Sequence, residues 1–307
     1  MKKLKNFPNK ELRKISNLIG LSFILEILIA NVIYIIFYKY DLFKFSKNLL
    51  EIFITLISFI IPYAIMLFIL NRKLNDVVPI KKPLSGSLAY VGFGLGFNAI
   101  FSIITEFILK ILKDQNLTSE TPKALYEFDR SPIGILIYLI YLSVLPALVE
   151  EFMCRGFFLN LLKPYGTKFA MFVSALLFSL MHGNVEQSVS ALFLGLYLAY
   201  LVIKTESIWP AVFLHFLNNL ITGIFIVFNL YENKEVTYFY YNALLVVFVI
   251  SLMYLFAKTK GHIFKLKNNV KSTSFLKNFL VFLFTPGIIL FIFYVLFMFK
   301  MSFTINE

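Results

Sequence analysis

The chain is poor in the residues that most often staple a protein or carry its chemistry: one cysteine, three histidines and one tryptophan among 307 residues. A lone Cys154 excludes an intramolecular disulfide and leaves the redox compartment open. Charge is scarce as well, at 15% Asp, Glu, Lys and Arg, and it is lopsided: 29 basic against 17 acidic residues leave a net charge of +12. A balance of that sign raises the question of a nucleic-acid partner. The lysines, however, fall in short stretches between apolar runs, where they act as orientation signals, so no nucleic acid is expected. No low-complexity linker, soluble domain or internal repeat is found. The longest polar insertion, KDQNLTSETPKALYEFDR at 113–130, is too short to fold alone. Its Asn116-Leu117-Thr118 is a chance sequon unless the setting is eukaryotic and secretory.

What the sequence does have is apolar length. Hydrophobic residues make up 59% of it, with 37 phenylalanines. Runs able to cross a bilayer, which takes about 20 residues of helix, stand at 16–38, 49–70, 87–112, 132–150, 168–184, 188–203, 207–228, 239–257 and 278–299. The expected fold is therefore all-α: a polytopic transmembrane bundle of eight or nine spans. The first run is too long for a removable signal peptide and lacks a small-residue cleavage site, so it reads as a retained span. Heavy use of Lys, Asn, Ile and Phe points to an AT-rich bacterial genome and hence to a bacterial plasma membrane. Basic residues set the orientation. Lys2, Lys3, Lys5, Lys10, Arg13 and Lys14 lead the chain, Arg72, Lys73, Lys81 and Lys82 follow the second span, and Lys258, Lys260, Lys265, Lys267, Lys271 and Lys277 follow the eighth, whereas 183–187 carries none. This pattern predicts a cytoplasmic N-terminus and, with nine spans, an external C-terminus. Three regions are expected: N-terminal helices at 1–130, a core at 131–228 and C-terminal helices at 229–307.

Ionisable groups within hydrocarbon are costly and mark function or an internal pair. Two of the three histidines, His182 and His215, sit in apolar segments, and "LVEEFMCRG" at 148–156 places Glu150, Glu151 and Arg155 in another. If a helix from Pro132 runs on to the Lys163-Pro164-Tyr165-Gly166-Thr167 turn, Glu150 lies 14 residues before Pro164 and His182 lies 15 after Thr167. Both then stand about 20 Å above the turn. From the next basic turn, at Lys204-Thr205-Glu206, His215 and Asn219 lie 9 and 13 residues along their helix and share one face. Three helices can thus point a carboxylate, two imidazoles and a carboxamide into one chamber. Glu151 and Arg155, four apart with the acid first, form the favoured intrahelical pair, while Glu150 is turned about 100° away from Glu151. The bland alternatives are an interfacial ion-pair cluster for the opening stretch, a helix-end histidine bonded to a carbonyl for His182, and an interhelical polar contact for His215 with Asn219.

In order along the chain stand Glu150-Glu151-Phe-Met-Cys-Arg155, Phe178-Ser-Leu-Met-His182 and His215-Phe-Leu-Asn-Asn219. This arrangement resembles the CPBP (Abi) family, the CAAX prenyl proteases and bacteriocin-processing enzymes, whose pattern is E-E-x-x-x-R, then F-x-x-x-H, then H-x-x-x-N or D on successive membrane helices. Trp209-Pro210 and Asn218 also look like the usual surroundings of the third motif. The resemblance covers roughly 131–228 and leaves the flanks to hydropathy alone. It implies an intramembrane endopeptidase of type II CAAX-protease kind, with a polar chamber facing the cytoplasm and catalytic residues Glu150, His182, His215 and Asn219 supported by Glu151 and Arg155. Glu150 would be the base, His182 would orient water, and His215 and Asn219 would donate to an oxyanion. A metal-free site is favoured and no cofactor is expected. The alternative is zinc held by Glu150, His182 and His215, since two histidines and a glutamate form a usual catalytic set. The expected partners are the lipid bilayer and a membrane-associated peptide or protein substrate. Peptide pheromones, bacteriocin leaders and membrane-protein termini are candidates by family analogy.

Other readings are weighed beside it. Cys154 invites a thiol-protease assignment but occupies a variable position of the motif and reads as packing. Glu26, Asn31, Asn98 and Glu106 also lie within spans, where they line the chamber or, on the blander reading, pair between helices and near interfaces. A catalytically silent membrane scaffold or bacteriocin-immunity protein of the same fold is the main rival. A transporter is the second, and it would show repeated halves with broken helices, which the chain lacks.

Overall fold

A computed structural model describes residues 8–40, 47–114, 117–119, 128–266, 270 and 274–305. Lys2, Lys3, Lys5, Asn116, Lys267 and Lys271 lie outside the described residues. The helices are α1 Pro8–Lys39, α2 Lys47–Leu70, the single turn α3 Leu74–Val77, α4 Ser87–Asp114, α5 Pro132–Tyr165, α6 Thr167–Leu180, α7 Val185–Thr205, α8 Trp209–Val227, α9 Lys234–Thr259, α10 Phe275–Leu283 and α11 Pro286–Ser302. The remaining regular structure among the described residues is a 3-10 turn at Leu230–Glu232 and a three-residue antiparallel ladder between β1 Leu117–Ser119 and β2 Phe303–Ile305. Helix is what an apolar chain must form in a bilayer, because it satisfies each backbone N–H and C=O internally.

Among the described residues seven helices are long and apolar enough to cross a membrane, and up to eight if a bent pair counts as one span. Two expected runs differ in form. The segment 168–184 contains the 14-residue α6, about 21 Å long and short of a full crossing. The run 278–299 is broken into α10 and α11, which meet at 74°. Pro286 explains the break: it has no N–H to donate and it drives Thr285 out of helical conformation.

The turns are stitched together at one end of the bundle. Ile208 N donates to Pro79 O (3.1 Å) and Ser207 Oγ to Lys81 O (2.6 Å). Lys204 Nζ donates to Ile263 O and Lys265 O, both at 2.7 Å, and Lys258 Nζ to Ser85 O at 2.8 Å. Thr167 N donates to Val270 O (2.9 Å), Asn278 Nδ2 to Tyr165 O (2.8 Å) and Lys14 Nζ to Ile69 O (3.2 Å). Lys14, Lys204 and Lys258 therefore share one basic end of the bundle. Helix α4 can press against α7 and α8 because Gly94 presents no side chain: a Cβ there would collide with Leu214 and Tyr197.

Candidate active site

The first of the three motifs sits in α5, a helix whose register changes twice. Its start is well capped: Ser131 Oγ accepts from Gly134 N (3.1 Å), and Pro132 takes the first turn, where no N–H is needed. The Ser131 backbone N–H and hydroxyl in turn hold the Asp129 carboxyl below its usual range. Residues Ile140–Val144 then form a π-helical turn, with Leu145 N bonded to Ile140 O. The wider turn falls just before Pro146, which in a regular α-helix would clash with the carbonyl four residues back. A second π stretch, Phe152–Phe158, follows Glu151 at once. Side chains satisfy carbonyls in that stretch: Asn160 Nδ2 donates to Arg155 O (2.7 Å) and Gly156 O (3.0 Å), and Ser174 Oγ to Cys154 O (2.7 Å). Such insertions recur at functional sites because they re-aim side chains without breaking the helix.

Those turns aim a carboxylate pair at α8. Glu151 Oε1 takes Arg155 Nη1 at 2.7 Å, the pair expected from the spacing, and also His215 Nδ1 at 2.9 Å. Both Glu151 and Arg155 are fully buried. Arg155 spends its other nitrogen Nη2 on Gly195 O of α7 (3.1 Å) and lies over the Phe178 ring, 4.2 Å from its centroid. The same ring meets His182 and His215 nearly edge-on, at centroid distances of 5.2 and 5.5 Å. Phe178 is thus a plate on which the guanidinium and both imidazoles rest. Glu150 meets the other nitrogen of the same imidazole: its Oε2 lies 3.9 Å from His215 Nε2, and its side chain is 20% exposed. That Oε2 atom is itself buried without a hydrogen-bond partner.

The structure brings Glu150, Glu151, Arg155 and His215 into direct contact, with His182 joined through Phe178. His182 lies just past the end of α6, and its Nδ1 bonds to Phe178 O (2.7 Å) rather than to a carboxylate. Asn219 lies four residues beyond His215 on α8, and among the described residues its side chain bonds to its neighbour and not to the cluster: its Oδ1 accepts from Asn218 Nδ2 (3.3 Å), and Asn218 Oδ1 accepts from Asn98 Nδ2 of α4 (2.6 Å). Glu26 of α1 receives the Tyr63 hydroxyl (3.5 Å) and lies within electrostatic reach of Glu150. Glu106 bonds Tyr241, and Asn31 bonds Ile27 O of its own helix (2.8 Å). Cys154 is buried and free. Among the described residues no group of three or more His, Cys, Asp or Glu side chains is placed to hold one metal ion. Sequence reasoning missed the second role of Glu151 and the anchoring of Asn218 by Asn98. The available signal was that Asn98 and Asn218 both interrupt apolar helices.

Residues 132–221 match the family model described as type II CAAX prenyl endopeptidase Rce1-like. This segment is similar to that family. The match is consistent with the CAAX protease family that the three motifs resemble, and it spans all of them. Neither comparison with curated proteins nor comparison with solved structures gives a match. At the family level an Rce1-like domain implies a CAAX-type intramembrane protease, and the apolar helices on both sides make the chain an integral membrane protein.

Proposed function

We propose that this chain is an intramembrane endopeptidase that hydrolyses a peptide bond of a membrane-associated peptide or protein, with water activated by Glu150 and without a metal. The observation that carries the reading is the Glu150 carboxylate: partly accessible, with an uncommitted buried oxygen, and 3.9 Å from an imidazole whose other nitrogen is already held by Glu151. A base must reach the reacting water, and Glu151, fully buried and tied through Oε1 to Arg155 and His215, has the positioning role instead.

In the proposed reaction Glu150 takes a proton as the water oxygen bonds to the peptide carbonyl carbon. The oxyanion is met by Asn219 Nδ2–H and, when His215 Nε2 carries a proton, by that N–H as well. As the C–N bond breaks, the proton on Glu150 passes to the leaving amine. His182, fixed through Nδ1, keeps Nε2 for orienting the water. The basic end faces the cytoplasm of a bacterial cell on this reading, and the chamber opens to it.

The test uses purified protein, a peptide library, and Glu150→Ala as the blank, each with and without a tight chelator. Loss of the base should slow cleavage by about 10²–10⁴-fold, with no effect of chelator on the native chain. A scaffold or immunity protein would show no Glu150-dependent cleavage. Cleavage abolished by chelator and restored by zinc would replace the metal-free mechanism.

A further inference from the structure

Two carboxamides outside the expected catalytic set bear on the proposed oxyanion donor. Helices α4 and α8 both start at the basic end and run side by side in the same direction. Gly94 packs against Leu214, and one turn further along each helix Asn98 meets Asn218. The bonds form a directed chain: Asn98 Nδ2 donates to Asn218 Oδ1 at 2.6 Å, and Asn218 Nδ2 donates to Asn219 Oδ1 at 3.3 Å. At the far end, Asn98 Oδ1 is buried without a hydrogen-bond partner.

Direction matters here because the two ends of a carboxamide have the same shape and opposite hydrogen-bonding character. Packing cannot tell Asn219 with its NH₂ outward from Asn219 with its oxygen outward. The first would bind a developing oxyanion and the second would repel it. A hydrogen bond to one end of the amide is what selects. With Oδ1 of Asn219 engaged by Asn218, its NH₂ group is the end left to donate.

We propose that Asn98 and Asn218 are positioning residues that fix the orientation of the Asn219 carboxamide and so make it a donor to the reaction intermediate. This rests on the proteolytic reading for its purpose, though the relay itself does not depend on activity. Asn98 belongs to α4, outside the Rce1-like segment, so the flanking helices would contribute to the site and not only enclose it.

Two measurements separate the proposal from the reading beneath it. In peptide cleavage, Asn219→Ala should lower kcat by about 10²–10³-fold, and Asn98→Leu by about tenfold with KM little changed, because only transition-state stabilisation is affected. Added to Asn219→Ala, Asn98→Leu should cause no further loss. Losses that multiply, or a change confined to KM, would overturn the relay. Asn98→Asp keeps the shape and, when ionised, cannot donate, so it gives the same test if the leucine variant does not fold. The second measurement is the side-chain amide ¹⁵N–¹H resonance of Asn219, assigned by its disappearance in Asn219→Ala. Asn98→Leu or Asn98→Asp should shift it, and an unmoved resonance refutes the relay whatever the activity. A shifted resonance in a chain that shows no Glu150-dependent cleavage keeps the relay and refutes the proteolytic reading.

Discussion

Helices α7 and α9 look alike as sequence, each an apolar run of spanning length, yet 67% of the apolar window of α7 is buried inside the protein against 17% for α9. Helix α7 gives Arg155 a carbonyl at Gly195, and its Tyr197 and Tyr200 hydroxyls donate to Tyr90 O (2.5 Å) and Ile263 O (2.7 Å). Helix α9 turns Tyr238, Phe239 and Met253 outward, each about two thirds to three quarters exposed. Lipid tails are as apolar as leucine, so hydropathy finds both spans and ranks neither as inner or outer. What distinguishes them is small and polar residues: Ser188, Gly195, Tyr197 and Tyr200 are buried on α7, where close backbone approach and interhelical hydrogen bonds hold helices together in a bilayer.

The contrast can be broken most forcefully at the ion pair. Arg155→Leu would leave the fully buried Glu151 without its cation and Gly195 O without its donor. Removing one partner of a buried pair costs about 3–5 kcal/mol, and unfolding in a fixed detergent mixture should register a loss of that size. Arg155→Lys sharpens the result, since an ammonium cannot span Glu151 and Gly195 at once or lie flat on Phe178, and it should recover only part of the loss. A drop below about 1 kcal/mol for Arg155→Leu would mean that the pair is solvated and the core around it open. Next in size is Leu198→Ala on α7, a fully buried side chain whose truncation should cost about 2–5 kcal/mol.

How far the sequence reached depends on whether a feature lies within one helix or between two. The Glu151–Arg155 contact is fixed by four-residue spacing on one element and was legible. So were the seven long spans, because each is specified by its own length of apolar chain. The bend at Thr285 carried its signal in Pro286, but an apolar run of the right length on both sides hid it. His215 against Glu151 was not legible, since it depends on the rotation of α8 about its axis relative to α5. That rotation is set by distant packing, such as Gly94 against Leu214. The π turns shift the face that α5 presents after Pro146 and again after Glu151, so a regular 3.6-residue wheel misplaces the side chains beyond each of them. Asn98 and Glu26 stood out as polar residues in apolar helices, yet nothing local names their partners on α8 and α2.

The smallest expected effect is the most direct test of the contrast. Leu245→Ala on α9 deletes the same atoms as Leu198→Ala, from a side chain 52% exposed. In the folded protein the removed methyls give way to lipid or detergent tails. They would meet the same tails if the helices came apart, so the deletion weakens packing equally in the folded and the separated states. The change in unfolding free energy should stay within about 0.5 kcal/mol, as for exposed positions generally. Should Leu245→Ala instead cost as much as Leu198→Ala, the outer face of α9 would have to be covered by protein in the folded state. A dependence of that cost on protein concentration would then show the cover to be another copy of the chain.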